Sequence, residues 1–130
     1  MAVIKAVKSQ AKNQNLKGVI KYISEKAELI TGKDCHEKTA YEEMQATKEI
    51  HEKEGGRLYK HYSQNFSPED KITPKQAHEI GLKFAEKNFK GHEVLVATHT
   101  DKDYIHNHFV VNSVNFENGK KYRESSKDLE

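Results

Sequence analysis

Three of the eight histidines fall in the stretch from His99 to Asn115, HTDKDYIHNHFVVNSVN. His106 and His108 are two apart, and on a β-strand that spacing puts both side chains on one face. Phe109 to Val114 is β-branched and aromatic, and Glu93-Val94-Leu95-Val96-Ala97-Thr98 reads as a second strand leading into His99. A polar connection, Thr100 to Tyr104, joins them, so the economical arrangement is a hairpin that brings His99 beside His106. With residue 99 opposite residue 106, all three imidazoles converge; with the register one residue different, His99 points away. Three convergent neutral imidazoles with an open position make a divalent-metal site of the catalytic kind, not a closed structural one. Asp101 is placed to accept the free N–H of a ligating histidine and fix its tautomer. Simple loop solvation competes with that role for Asp101 and for Asp103.

Two other readings of these letters fail. Cupin-type oxygenases also use H-x-H but need a glutamate a few residues later; here Phe109, Val110, Val111 and Asn112 follow, and Glu117 is too far. The contiguous letters His106-Asn107-His108 do not make an HNH nuclease motif, which is not a contiguous tripeptide. Of the remaining histidines, His36, His51, His78 and His92 are scattered and read as surface residues. His61 alternates with Tyr59 and can face either side of its strand.

The elements that must position this stretch follow from periodicity. Residues 2–8 read as a first strand and 9–15 as a polar loop. Leu16, Val19, Ile20, Ile23 and Ala27 form one apolar stripe, predicting a helix from about Leu16 to Glu28. Tyr22 lies roughly 120° from the centre of that stripe at 100° per residue, at the helix flank within reach of a partner. Thr31 to Lys38 reads as a charged connection. Thr39-x-x-Glu42 is a capping box opening a charged helix to about Glu54, stopped by Gly55-Gly56. Arg57 to Phe66 reads as a strand. Thr73-Pro74-x-Gln76 is a second capping box with proline at the first helical position. Its helix, to about Asn88, has the clearest stripe: Ala77, Ile80, Gly81, Phe84 and Ala85. Asn118-Gly119 predicts a type I′ hairpin and a last strand near Lys120 to Ser125. The order β-α-α-β-α-β-β-β argues an α+β domain, a mainly antiparallel sheet with helices packed on one face.

At 130 residues the chain is one domain, 1–130, long enough to bury a core, with 35% hydrophobic and 32% charged residues. Net charge is +2 and the isoelectric point near 8.5, a weak lean toward polyanions. The single cysteine, Cys35, cannot pair within the chain, which points to a reducing compartment. No signal-peptide h-region and no membrane-length apolar run is present. Lysines 5, 8, 12, 17, 21 and 26, and Lys120, Lys121 and Arg123, flank the elements carrying Tyr22 and the histidines. Such charges are ordinarily a solvated face, yet a phosphodiester substrate would use them there; Lys21, Lys26, Lys121 and Arg123 are the candidate phosphate contacts.

Four strings carry a resemblance: Tyr22-Ile-Ser-Glu-Lys26 after the first strand; His61-Tyr-Ser-Gln-Asn-Phe-Ser-Pro-Glu-Asp-Lys71; the Thr73-Pro74 helix; and Ala97-Thr-His-Thr-Asp101 followed by His106-Asn-His-Phe-Val-Val-Asn-Ser-Val-Asn115. Together they resemble the relaxase/mobilisation-endonuclease family of plasmids and integrative conjugative elements, within the HUH endonucleases. The resemblance spans nearly the whole chain and matches the N-terminal catalytic part of longer proteins. It implies Tyr22 as nucleophile and His99, His106 and His108 as ligands of magnesium or manganese. It implies strand- and site-specific nicking at an origin of transfer, leaving a 5′-phosphotyrosine and a free 3′-OH, with rejoining by the reverse attack. It also implies hairpin and single-stranded DNA as partner alongside accessory mobilisation proteins, and a bacterial cytoplasmic setting. Some relatives use a second tyrosine or a histidine as nucleophile, and Tyr41, Tyr59 and Tyr62 are present here. A non-catalytic single-stranded DNA-binding module on the same scaffold is the rival reading. A metal enzyme acting on a small molecule is weaker, lacking the cupin glutamate and an apolar pocket sequence.

Overall fold

The computed structural model describes residues 2–7 and 15–122. In chain order these form β1 (Val3–Val7), α1 (Leu16–Glu25), β2 (Leu29–Lys33), α2 (Ala40–Ile50), β3 (Tyr59–Asn65), α3 (Pro74–Asn88), β4 (Val94–His99) and β5 (His106–Asn112). The strands make one antiparallel sheet in the order β1-β3-β5-β4-β2. β4 is buried along its whole length, and β5 is buried at all positions but the half-buried His108. Runs that apolar belong in the middle of a sheet covered on both faces, and that is where they lie.

The α+β class and the antiparallel sheet are as the sequence predicts. The helices, expected on one face, instead divide between two. Residues directly opposite across the ladders share a face, which separates Tyr62, Phe109, Val96 and Val111 from Tyr59, Val110, Leu95 and Ala97. The first set packs with Phe84, Ala85 and Phe89, from α3 and its C-cap. The second packs with Leu16 and Ile23 of α1 and Ala40 and Met44 of α2. A one-sided arrangement would leave one of these apolar faces in water.

Local chemistry sets several boundaries. The Thr73 side chain accepts from Gln76 N and the Gln76 side chain accepts from Thr73 N, so the predicted capping box forms and α3 runs to Asn88 as predicted. Its stripe is turned slightly: His78 is buried and Ile80 is exposed. α1 starts at Leu16 under an Asn15 side-chain cap but stops at Glu25, short of the predicted Glu28, and β2 (Leu29–Lys33) follows, running into the Thr31–Lys38 segment predicted as a charged connection. At α2 the Thr39 side chain makes no capping bond to the backbone; its hydroxyl donates to Glu43 Oε2, and the helix ends at Ile50, short of the glycines. The Asn118-Gly119 turn is wider than type I′. The Asn115 amide bonds the Lys120 carbonyl, the Asn115 side chain accepts from the Glu117 and Asn118 amides, and Gly119 takes a φ of 75°. Beyond it Val114 and Lys121 form a single bridge and the Tyr122 amide donates to the Ser113 carbonyl, so no regular strand forms over 120–122; residues 123–125 of the expected last strand lie outside the described residues.

Candidate active site

His99 stands directly opposite His106, the register in which the three imidazoles converge. One potential ligand nitrogen from each of His99, His106 and His108 lies within 4.8 Å of the others. The ring centroids are 4.5 Å apart for His99 and His108, 5.1 Å for His99 and His106, and 5.0 Å for His106 and His108.

Neighbours decide which nitrogen each ring offers. His99 Nε2 lies 2.8 Å from the Ile23 carbonyl oxygen. That carbonyl belongs to the last turn of α1, where the helix supplies no amide partner. A carbonyl only accepts, so His99 carries its proton on Nε2 and its lone pair on Nδ1. His108 Nδ1 is 2.8 Å from His61 Nε2, which leaves its Nε2 for the cluster. His106 Nδ1 is buried without a hydrogen-bond partner among the described residues. Asp101 Oδ1 approaches His106 Nε2 at 3.8 Å, so it sits by His106 and not by its sequence neighbour His99.

Burial, then the neighbouring imidazoles, pushes His108 down to about 3 and His61 to about 4. Burial also holds His106 below the ordinary histidine value. These rings are neutral at neutral pH, with lone pairs available. Three imidazoles that each bring a ring nitrogen within 4.8 Å of the others fit a divalent cation.

Around the cluster is an open cleft of about 250 Å³ lined by Lys5, Tyr22, Ser63, Asp101, Lys102 and Tyr104, among others, with all three histidines. Tyr22 is 53% exposed and projects from the last turn of α1, one residue before the carbonyl that His99 holds. Lys26, at the C-cap of α1, places its ammonium 5.4 Å from the centre of the Tyr22 ring. The other tyrosines named from sequence are less available: Tyr59 and Tyr62 are buried, and Tyr41 packs against the α1–α2 core under Lys17.

The remaining cationic candidates scatter. Lys21 is exposed and pairs with Glu25 at 3.9 Å. Lys121 sits at the far end of the sheet, where its ammonium is bonded to the Gly55 and Arg57 carbonyls. Arg123 lies outside the described residues. Lys5 and Lys102 are the lysines that line the cleft. Lys5 faces it because it pairs with Ser63, itself opposite His108, a fact of strand register invisible in the sequence. Lys102 and Tyr104 lie between the histidines in sequence, a signal that was available. His78 and His92, expected at the surface, are buried: His78 bridges Thr31 and Thr98 at 2.7 and 2.8 Å, and His92 Nδ1 bonds the Asn112 carbonyl.

Residues 11–130 match the relaxase family described as MobA/VirD2-like, nuclease domain. The chain is 41% identical over 108 residues to a protein rlx of Staphylococcus aureus, covering 83% of the chain and 34% of that protein. A second S. aureus protein rlx is 37% identical over 110 residues, covering 85% and 33%. The group II intron-interrupted relaxase LtrB of Lactococcus lactis subsp. cremoris is 43% identical over 72 residues, covering 55% and 13%. The chain thus spans about a third of the length of the S. aureus relatives. No solved structure gives a significant match. Among the described residues no helix is long and apolar enough to cross a membrane.

Proposed function

The chain belongs to the MobA/VirD2-like relaxase nuclease-domain family, and from that premise we propose that it cuts and rejoins one DNA strand at an origin of transfer, with Tyr22 as the nucleophile. The observation that carries the reading is the sharing of one cleft by an exposed tyrosine, three convergent imidazoles and two lysines. It acts as the catalytic domain of a longer mobilisation protein.

In this reaction the Tyr22 Oη attacks the scissile phosphorus and the bond to the 3′ oxygen breaks. The strand is left with a free 3′-OH and a 5′ phosphate esterified to Tyr22. One diester replaces another, so rejoining by the 3′-OH needs no other energy source. A phenol is a poor nucleophile while it holds its proton; in the net step Tyr22 gives up one proton and the departing 3′ oxygen takes one up, while Lys26 stands over the Tyr22 ring as a cation beside the reacting phosphate. Lys5 and Lys102 bind phosphate oxygens, and Asp101 orients His106.

His99, His106 and His108 would hold a divalent ion, which supplies charge neutralisation at a non-bridging phosphate oxygen. Of the two ions the family resemblance implies, an all-imidazole donor set suits Mn²⁺ better than Mg²⁺, which prefers oxygen ligands.

The test is a denaturing gel of the protein mixed with single-stranded transfer-origin DNA, in Mn²⁺ or EDTA. The expected result is an ion-dependent covalent adduct that Tyr22→Phe abolishes while sparing DNA binding. An adduct that survives Tyr22→Phe and is lost in Tyr104→Phe moves the nucleophile across the cleft. Salt-sensitive binding with no adduct at all points to a binding module.

A further inference from the structure

We infer that His61 is a positioning residue of the imidazole cluster: its Nε2 accepts a hydrogen bond from His108 Nδ1 and so turns the His108 Nε2 lone pair toward the ion site. The inference rests on the metal reading proposed above and adds to it a residue outside the three-histidine set.

The geometry is specific. His61 lies on β3, paired with Val110, while Ser63 stands directly opposite His108. His61 is therefore the diagonal neighbour of His108 on the cleft face of the sheet, close enough for long side chains to meet. The two rings meet edge to edge, with nitrogens 2.8 Å apart, ring centroids 5.0 Å apart and planes inclined by 50°. His61 is buried, so water is a poor substitute as a partner.

Two neutral imidazoles at that distance share a single proton, and its location decides what His108 can do. If His61 donates, the only proton of His108 sits on Nε2, on the side where the other two imidazoles converge, and blocks ligation. If His108 donates from Nδ1, its Nε2 presents a lone pair and the proton of His61 resides on Nδ1. His99 already follows the second scheme: its Nε2–H donates to the Ile23 carbonyl, which leaves Nδ1 free. Two of the three imidazoles are thus oriented by partners on different elements, a helix-end carbonyl and a neighbouring strand histidine. Partners of this kind set tautomer and ring orientation and typically change metal affinity by about 10–100-fold when removed.

Two variants and two readouts test this. His61→Gln keeps an acceptor near the position of Nε2, whereas His61→Leu has none. On metal-free ¹⁵N-labelled protein at pH 7, long-range ¹H–¹⁵N spectra report the tautomer of His108 directly. Mn²⁺ titration followed by calorimetry reports affinity without any turnover. The expected result is a His108 Nδ1–H tautomer in the wild type and in His61→Gln, and its loss in His61→Leu. Mn²⁺ binding should weaken about 10–100-fold in His61→Leu and largely recover in His61→Gln.

A wild-type His108 protonated on Nε2 overturns the inference, as does a folded His61→Leu that keeps both the wild-type tautomer and the wild-type Mn²⁺ affinity. If His61→Leu fails to fold, the wild-type tautomer and the His61→Gln titration decide. A wild type with the Nδ1–H tautomer that takes up no Mn²⁺ supports the pairing and refutes the metal reading, so the two fail separately.

Discussion

Asn107 sits between His106 and His108 but points to the opposite face of the sheet, and replacing it should loosen the histidine strand without touching a histidine. Its side chain is fully buried and makes three hydrogen bonds. The Oδ1 accepts from Thr98 Oγ1 at 2.6 Å, and the Nδ2 donates to Gln64 Oε1 at 2.9 Å and to the Ala77 carbonyl at 2.8 Å. One amide thus joins β5 to β4, to β3 and to the first turns of α3. Gly81 leaves room for it, since a Cβ there would lie 2.6 Å from Nδ2. Each bond contributes about 1 kcal/mol net, and a buried partner left unsatisfied costs about 1–3 kcal/mol. Thr98 can turn fully to His78, but the Gln64 side chain has no second hydrogen-bond partner among the described residues. Asn107→Ala should therefore cost about 4 kcal/mol, read as a fall in the urea midpoint of about 2 M at an m-value near 2 kcal/mol/M. Asn107→Asp should cost at least as much at pH 7, because it keeps the acceptor for Thr98 and sets a carboxylate against two other acceptors. The assay is equilibrium urea unfolding followed by circular dichroism. A loss below about 1 kcal/mol with an unchanged m-value would refute the reasoning; it would mean that the Asn107 bonds are readily replaced.

Two further outcomes follow from features already described. Gly32→Ala should destabilise by about 3 kcal/mol, because a Cβ at that position runs into the backbone carbonyl of Cys35; wild-type thermal stability in this variant would contradict that packing. Metal-free protein should lose stability as pH falls below 6.5, because His61 and His108, held down to about 4 and about 3, refuse protons that the unfolded chain accepts. Each steepens the loss by up to about 1.4 kcal/mol per pH unit, fully developed once pH has dropped through the folded values. Urea midpoints in EDTA between pH 7 and pH 4.5 measure it, and His61→Gln should flatten the slope; a flat wild-type profile argues against burial of the pair.

The sequence carried the chemistry of the site more plainly than its surroundings. The H-x-H spacing placed His106 and His108 on one face, but whether His99 joined them depended on register, which pattern alone left open. β2 was hidden because Gly32 and Lys33 interrupt a short, half-buried edge strand. Tyr22 was readable as a helix-flank residue because the α1 stripe is clean. His61 was ambiguous because β3 is buried on both faces, so alternation carried no sign there. The two-sided packing of helices was equally obscure in the sequence: β4 reads as a continuous apolar run, whose covers are only known once α3 and the α1–α2 pair are seen on opposite sides. Lys5 gained its place from a partner strand far along the chain, information that no local pattern holds.

The hydrogen bond between His99 and the Ile23 carbonyl acts as a gauge. Ile23 is fully buried and directly follows Tyr22, so the reach from phenol to imidazoles is set at one point, where helix end and strand end are pinned together. Lengthening or shortening the chain ahead of α1 changes where it arrives but not that span. In the proposed reaction a DNA strand joined to Tyr22 would hang from the same pin, and tension on the strand would be transmitted to His99. Gripping the strand and keeping the site in shape would then be one mechanical task carried by a single contact.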